Sequence, residues 1–166
     1  MPEGPEVKLM VETLKKYIKS DFINLEITGG RYIRHKLPKN YKSFKSDLKA
    51  KIIDINCKGK FIYIILDNDW TIWITLGMSG HFVKKKYKHT HYTFETSKGK
   101  FYMDDTRNFG TLNFYKKNDE KNSLKDKLNS IGFDPLQNKI KFEDFLKHFN
   151  NFKKKKPNKN IAELLL

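Results

Sequence analysis

A chain of 166 residues has room for one ordinary domain, or for one domain and a piece of a second, and can bury a sizeable core. Thirty-four Lys and Arg against nineteen Asp and Glu leave a net charge of +15, a balance that suits a polyanion better than a small metabolite: nucleic acid first, an acidic membrane surface second. No apolar run approaches the ~20 residues of a membrane span, the N-terminus lacks the basic and apolar regions of a signal peptide, and the lone Cys57 excludes an internal disulfide and a Cys-x-x-Cys zinc site; the chain reads as intracellular, cytoplasmic or nuclear.

The chain opens Met1-Pro2-Glu3-Gly4-Pro5-Glu6-Val7. If Met1 is removed, Pro2 becomes the N-terminus, and its amine, with an ordinary pKa of about 7.7–8.0 against about 10.4 for lysine, is partly unprotonated and nucleophilic near neutral pH. A secondary amine adding to an aldehyde carbon gives a cationic iminium, an electron sink for eliminations at the next carbon, and the adjacent Glu3 is placed to shuttle protons. The same residues also suit a plain helix start, where proline tolerates the first turn and carboxylates favour its positive end. Both readings stand on these residues alone.

From Pro5 to Ile18, Val7, Met10, Val11, Leu14 and Ile18 recur at helical spacing and predict an amphipathic helix. Phe22 to Ile27 reads as a strand ended by Gly29-Gly30, followed by a basic loop through Arg31, Arg34, His35, Lys36 and Lys39. Short β-branched and aromatic runs at Lys51 to Asn56, Lys60 to Leu66 and Thr71 to Leu76 follow, separated by Lys58-Gly59 and Asp67-Asn68-Asp69. Gly77-Met78-Ser79-Gly80 precedes a short strand at His81 to Val83, and Lys84 to Lys86 open an exposed loop. His91 to Thr96 and Lys100 to Asp104 form a hairpin around Ser97-Lys98-Gly99, and Thr111 to Tyr115 is the last strand. The expected fold is mainly β with an N-terminal helix: a two-sheet β-sandwich of about eight strands.

Composition shifts after Lys116. Residues 1–118 are expected as the β-sandwich domain with its helix, 119–130 as a linker, and 131–166 as the first helices of a second, truncated helical domain, with an amphipathic helix from Phe142 to Phe152 and another from Asn160 to Leu166. From the uncapped ending Leu164-Leu165-Leu166, the chain is expected to be the N-terminal portion of a longer protein or to have a stranded tail.

Beyond the N-terminus, three stretches need more than folding to account for them. Lys58-Gly59-Lys60 puts lysines on a tight turn. Met78 sits between glycines, and a flexible apolar side chain there suits a wedge filling the gap left by a base that leaves the stack, although it could instead fold onto the core. In Asp104-Asp105-Thr106-Arg107-Asn108-Phe109-Gly110, Arg107 offers a planar cation to a phosphate or orphaned base and Phe109 a stacking face; a turn with a buried aromatic is the alternative.

Met1 to Val7, Gly59-Lys60, Leu76 to Gly80, Lys88-His89-Thr90-His91, Asp105 to Gly110 and Ile131 to Leu136 together resemble, in order and spacing, the formamidopyrimidine-DNA glycosylase and endonuclease VIII family. The resemblance implies a bifunctional DNA glycosylase and abasic-site lyase of base-excision repair, acting as a monomer on damaged DNA with no membrane partner. By position it makes Pro2 the nucleophile on the sugar C1′, Glu3 the acid that helps open the sugar, Glu6 a supporting carboxylate and Lys60 a phosphate contact. Met78, Arg107 and Phe109 would fill the space left by the flipped nucleotide, and His89 would touch the backbone. No cofactor is expected in this chain; a zinc or zincless finger would belong to the missing C-terminal part. Ile131 to Leu136 resembles the opening of the family's helix-two-turn-helix domain. Asn108 departs from the pattern, standing where many members carry a second arginine. The rival expectation is a non-catalytic basic module that binds nucleic acid through charge.

Overall fold

The computed structural model describes residues 1–132, 134, 136, 141–155 and 158–160. The chain divides into two compact units, Met1–Ile131 and Gly132–Leu166.

In the first unit, helix α1 (Gly4–Leu14) and a single 3-10 turn (Lys15–Tyr17) lead into strand β1 (Asp21–Ile27). Two short helices, α2 (Arg31–Arg34) and α3 (Tyr41–Ser46), precede strands β2 (Ala50–Lys58), β3 (Phe61–Leu66), β4 (Trp70–Thr75), β5 (His81–Val83), β6 (Thr90–Thr96), β7 (Gly99–Asp104) and β8 (Thr111–Lys116), and helix α4 (Leu124–Ser130) closes the unit. All strand pairs are antiparallel, in the order β5-β7-β6-β1-β2-β3-β4-β8. The two expected sheets are thus continuous, but their junction is narrow. β1 and β2 share only the pairs Asp21↔Lys51 and Phe22↔Ala50, and the registers shift on either side, between Phe22 and Asn24 and between Ile52 and Asp54. Such irregularities bend a strand and sharpen its twist.

The fully buried residues Phe94, Phe101 and Met103 from the β5–β1 half join Ile62, Ile64, Ile72, Leu112 and Phe114 from the β2–β8 half in a single core. Helix α1 adds Val7, Val11 and Leu14, the buried stripe expected from its periodicity. At about 1.5–3 kcal/mol for each fully buried large apolar side chain, this stripe fixes the position of the chain's N-terminal turn far more firmly than helix propensity does.

Two segments differ from expectation. The basic stretch read as a loop carries α2 and α3, too short for periodicity to reveal and held instead by aromatic anchors. The Tyr32 hydroxyl donates to Leu112 O (3.0 Å) and accepts from Leu112 N (2.9 Å), the Tyr41 hydroxyl donates to Leu25 O (2.8 Å), and Phe44 stacks on Phe114 at 4.5 Å between centroids. The segment read as a linker contains α4, whose Leu124 and Leu128, with Ile131, pack on Phe61, Tyr63, Trp73 and Tyr115 on the second face of the β3–β4–β8 sheet. Lys58 Nζ donates to Leu128 O (2.7 Å), satisfying a carbonyl that the helix end leaves open.

In the second unit, α5 (Phe142–Lys155) spans the expected amphipathic helix, with Phe145 and Phe149 ring-stacked at 6.1 Å. The expected helix from Asn160 to Leu166 falls, apart from Asn160, outside the described residues.

Candidate active site

Glu3 is the N-cap of α1, with Pro5 in the first turn, so the helix-start reading of these residues holds. Glu3 and Glu6 form a capping box, in which Glu6 Oε2 accepts from the Glu3 N–H at 2.8 Å, and the Glu3 carboxylate also meets Lys60 Nζ at 3.0 Å. Lys60 reaches it from the turn between β2 and β3, where Gly59 takes φ +55 at no steric cost. The Glu3 and Lys60 side chains are 63% and 43% exposed, and an ion pair that open to water contributes about 0–1 kcal/mol. Lys60 is therefore easily transferred to another anion. Pro2, half-buried, lies on the shared rim of two depressions, one of about 620 Å³ reaching Lys60 and Gly77 and one of about 470 Å³ bordered by Glu6, Met78 and Ser79. The predicted Pro2, Glu3, Glu6 and Lys60 are thus one cluster, and both readings of the N-terminus are compatible with one geometry.

The two glycine-bearing loops meet beside it. Met78 is 39% exposed and Phe109 51% exposed, so neither the folded-back methionine nor the buried aromatic is what the fold contains. Arg107 lies over the Phe109 ring with its Cζ 5.1 Å from the centroid. A Cβ on Gly77, at φ +61, would stand 2.6 Å from the Phe109 carbonyl carbon and 2.8 Å from Gly110 N, so the loops approach backbone to backbone.

What ties them together is Asp105, fully buried, which carried no role in the sequence reading. Its Oδ1 accepts from Ser79 Oγ, its Oδ2 accepts from Gly110 N (2.7 Å), and its own N–H donates to His89 O (3.0 Å). The Arg107 N–H completes the knot by donating to Ser79 Oγ (2.9 Å). Three segments bearing predicted site residues, around Met78, His89 and Arg107-Phe109, are thus crosslinked through one aspartate, two by its carboxylate and the third by its backbone N–H. The signal in the sequence was an aspartate at the start of a glycine-ended loop and a serine between glycines, both common turn residues.

Asn108 adopts φ +58, and its Oδ1 faces inward, 2.8 Å from where a Gly30 Cβ would be. The His91 ring packs over the same Gly29-Gly30 turn, and His91 Nε2 and Asn108 Oδ1 are both buried without a hydrogen-bond partner. Among the described residues no group of three or more His, Cys, Asp or Glu side chains could hold a metal ion, and no helix is long and apolar enough to cross a membrane. A larger depression of about 910 Å³, between the β3–β4 turn and α4, contains none of the predicted site residues.

Residues 1–112 match the model of the formamidopyrimidine-DNA glycosylase N-terminal domain. The formamidopyrimidine-DNA glycosylase of Rickettsia felis is 33% identical over 150 residues, covering 86% of this chain and 52% of that protein. The Ureaplasma parvum enzyme of the same name is 32% identical over 176 residues, covering all of this chain and 60% of its own length. The chain therefore spans about half the length of the curated relatives it matches. Among solved structures, Lactococcus lactis formamidopyrimidine-DNA glycosylase bound non-covalently to DNA containing an abasic site superimposes with a TM-score of 0.70 at 25% identity, covering 93% of this chain and 57% of that one. A second, MutM in complex with DNA containing carbocyclic 8-oxoguanine, gives a TM-score of 0.59 at 27% identity over 69% of this chain and 44% of its own. By sequence, fold and the clustering of its motifs, the chain belongs to the formamidopyrimidine-DNA glycosylase family.

Proposed function

We propose that the protein is a base-excision-repair DNA glycosylase with abasic-site lyase activity, working on damaged DNA inside the cell through Pro2. The observation that carries this reading is the position of Pro2 between the Lys60 and Met78 depressions, with Glu3 and Glu6 directly behind it.

While Met1 is attached, the Pro2 nitrogen is an amide and cannot attack. Once Met1 is removed, the free secondary amine adds to C1′ of the damaged nucleotide and the oxidised base departs with the C1′–N bonding pair. Glu3 supplies the proton that opens the sugar ring, and loss of the ring oxygen's bond to C1′ leaves a C1′=N⁺ iminium. That cation acidifies the C2′ hydrogen, so removal of the C2′ proton expels the 3′ phosphate, and a second elimination expels the 5′ phosphate. Water then hydrolyses the iminium and returns the amine. Glu6, bonded to the Glu3 backbone, holds the acid in place, and Lys60 leaves Glu3 to take a phosphate oxygen. Met78, Arg107 and Phe109 occupy the space vacated by the flipped nucleotide, and His89 contacts the DNA backbone beside them. The segment from Ile131 onward is read as the opening of a helix-two-turn-helix domain.

Borohydride reduction of the iminium tests this directly. The full-length protein, with loss of Met1 verified by intact mass, is expected to form a covalent adduct with DNA carrying an abasic site or an oxidised pyrimidine, Pro2→Gly to weaken it, and residues 1–166 alone to trap less. Undiminished trapping by a variant altered at both Pro2 and Glu3 overturns the reading. Salt-dependent, lesion-indifferent binding with no adduct would establish the rival charge-driven module instead.

A further inference from the structure

The connection from β5 to β6, Lys84-Lys85-Lys86-Tyr87-Lys88-His89, carries charge and an aromatic ring that the site above does not use. Lys84 to Lys88 are all exposed, and none of the four lysines lies within ion-pair distance of a carboxylate among the described residues. Tyr87 is 62% exposed, yet its backbone is fixed. Its N–H donates to Thr90 Oγ1 (2.8 Å), its carbonyl accepts from Thr90 N (3.2 Å), and Thr90 Oγ1 donates onward to Asp104 Oδ1 (3.2 Å). A solvated charge run has no use for an aromatic ring held in water by a tied turn.

Placement gives the ring a partner. β5 is the edge strand, pairing His81↔Asp104 and Val83↔Tyr102, so the loop leaves two residues down β7 and returns at Thr90↔Asp104, directly before Asp105. At ~3.4 Å per residue, the loop begins ~10 Å along the strand from Asp105, the centre of the knot that holds Met78 and Arg107. On the function proposed above, the loop therefore starts and ends beside the residues that would meet DNA. Cations following a backbone with an exposed aromatic among them form the arrangement that grips an unpaired strand: charge for phosphates, a π face for a base with no neighbour.

Resting on the function proposed above, we propose that this loop is a secondary DNA-binding surface, with Tyr87 stacking on an unpaired base flanking the lesion, so that the protein favours lesions in bubbles or near strand ends over fully paired duplex. The test compares binding of the complete chain to two oligonucleotides with a central abasic-site analogue, one fully paired and one with a flanking bubble, by fluorescence anisotropy over a salt series. Borohydride trapping on a natural abasic site runs in parallel. Tyr87→Ala is expected to weaken bubble binding about 5- to 150-fold, the range for one lost base–aromatic stack, with little change on duplex, while Tyr87→Phe stays near wild type. A triple Lys84/Lys85/Lys86→Gln variant is expected to flatten the salt slope on the bubble. Equal losses on both DNAs, or none on either, overturn the stacking surface. Absence of trapping by wild-type protein speaks against the catalytic reading and leaves the Tyr87 comparison to be judged by binding alone.

Discussion

Replacing Asp105 by alanine should cost far more than a loop residue normally does. The carboxylate is fully buried and accepts from Ser79 Oγ and Gly110 N. Its removal leaves two donors without their acceptor, at about 1–3 kcal/mol for each one that stays buried. Ser79 is partly exposed and can recruit water, so the expected loss is about 2–4 kcal/mol, or roughly 5–15 °C in melting temperature for a chain of this size. Urea unfolding followed by the fluorescence of the buried Trp70 and Trp73 measures it. Ser79→Ala should cost about 1–2 kcal/mol, since it removes one donor and deprives the Arg107 N–H of its acceptor. Because the two side chains share a hydrogen bond, the double variant should be less destabilised than the sum of the singles by at least about 0.5 kcal/mol. An Asp105→Ala protein within about 0.5 kcal/mol of wild type, or strict additivity with Ser79→Ala, would refute the knot as the structure draws it.

Gly77→Ala places a Cβ against the Phe109 and Gly110 backbone and strains a residue at φ +61; a loss of about 2 kcal/mol or more in urea unfolding is expected, together with weaker borohydride trapping, and wild-type behaviour in both would count against close loop packing. Asp47 is held below the usual carboxylate pKa by hydrogen bonds from the Lys116 ammonium (2.7 Å) and the Trp70 indole N–H (2.9 Å). Its stabilisation is therefore complete above the unfolded value of about 3.9 and is lost as pH falls through the lower folded value, so Asp47→Asn should flatten the acid limb of a urea-midpoint against pH curve; an unchanged limb would exclude this pair as a contributor.

Regular elements were legible where the side-chain pattern was carried by neighbours in sequence. The β-branched and aromatic run in Trp70–Thr75 and the turn at Asp67-Asn68-Asp69 place the β3–β4 hairpin without reference to the rest of the chain. The helices α2 and α3 were not, because Tyr32, Tyr41 and Phe44 owe their conformation to partners 16 to 80 residues distant. Helix α4 left a trace that a charged composition obscured: Ser123 as N-cap, accepting from Asp126 N, and Leu124 and Leu128 on one face. For the site, residue types with distinctive chemistry, Pro2, Lys60, Met78, Arg107 and Phe109, could be named from sequence. Asp105 could not, since its importance comes from burial and from bonds to Ser79, His89 and Gly110 rather than from its type.

The Gly77–Gly80 segment runs from β4 in one half of the sheet to β5 in the other, and the Asp105–Gly110 segment returns from β7 to β8. With β1 and β2 sharing only two residue pairs at the opposite crossing, these two connections and the aspartate between them work as a clasp on the sandwich. On the function proposed above, a duplex kinked against Met78 and Phe109 would put its load on the joint between the halves. The Gly110 amide, sealed against Asp105, then becomes a strain gauge: its hydrogen-exchange rate would register how far the sandwich yields while DNA is bent across it.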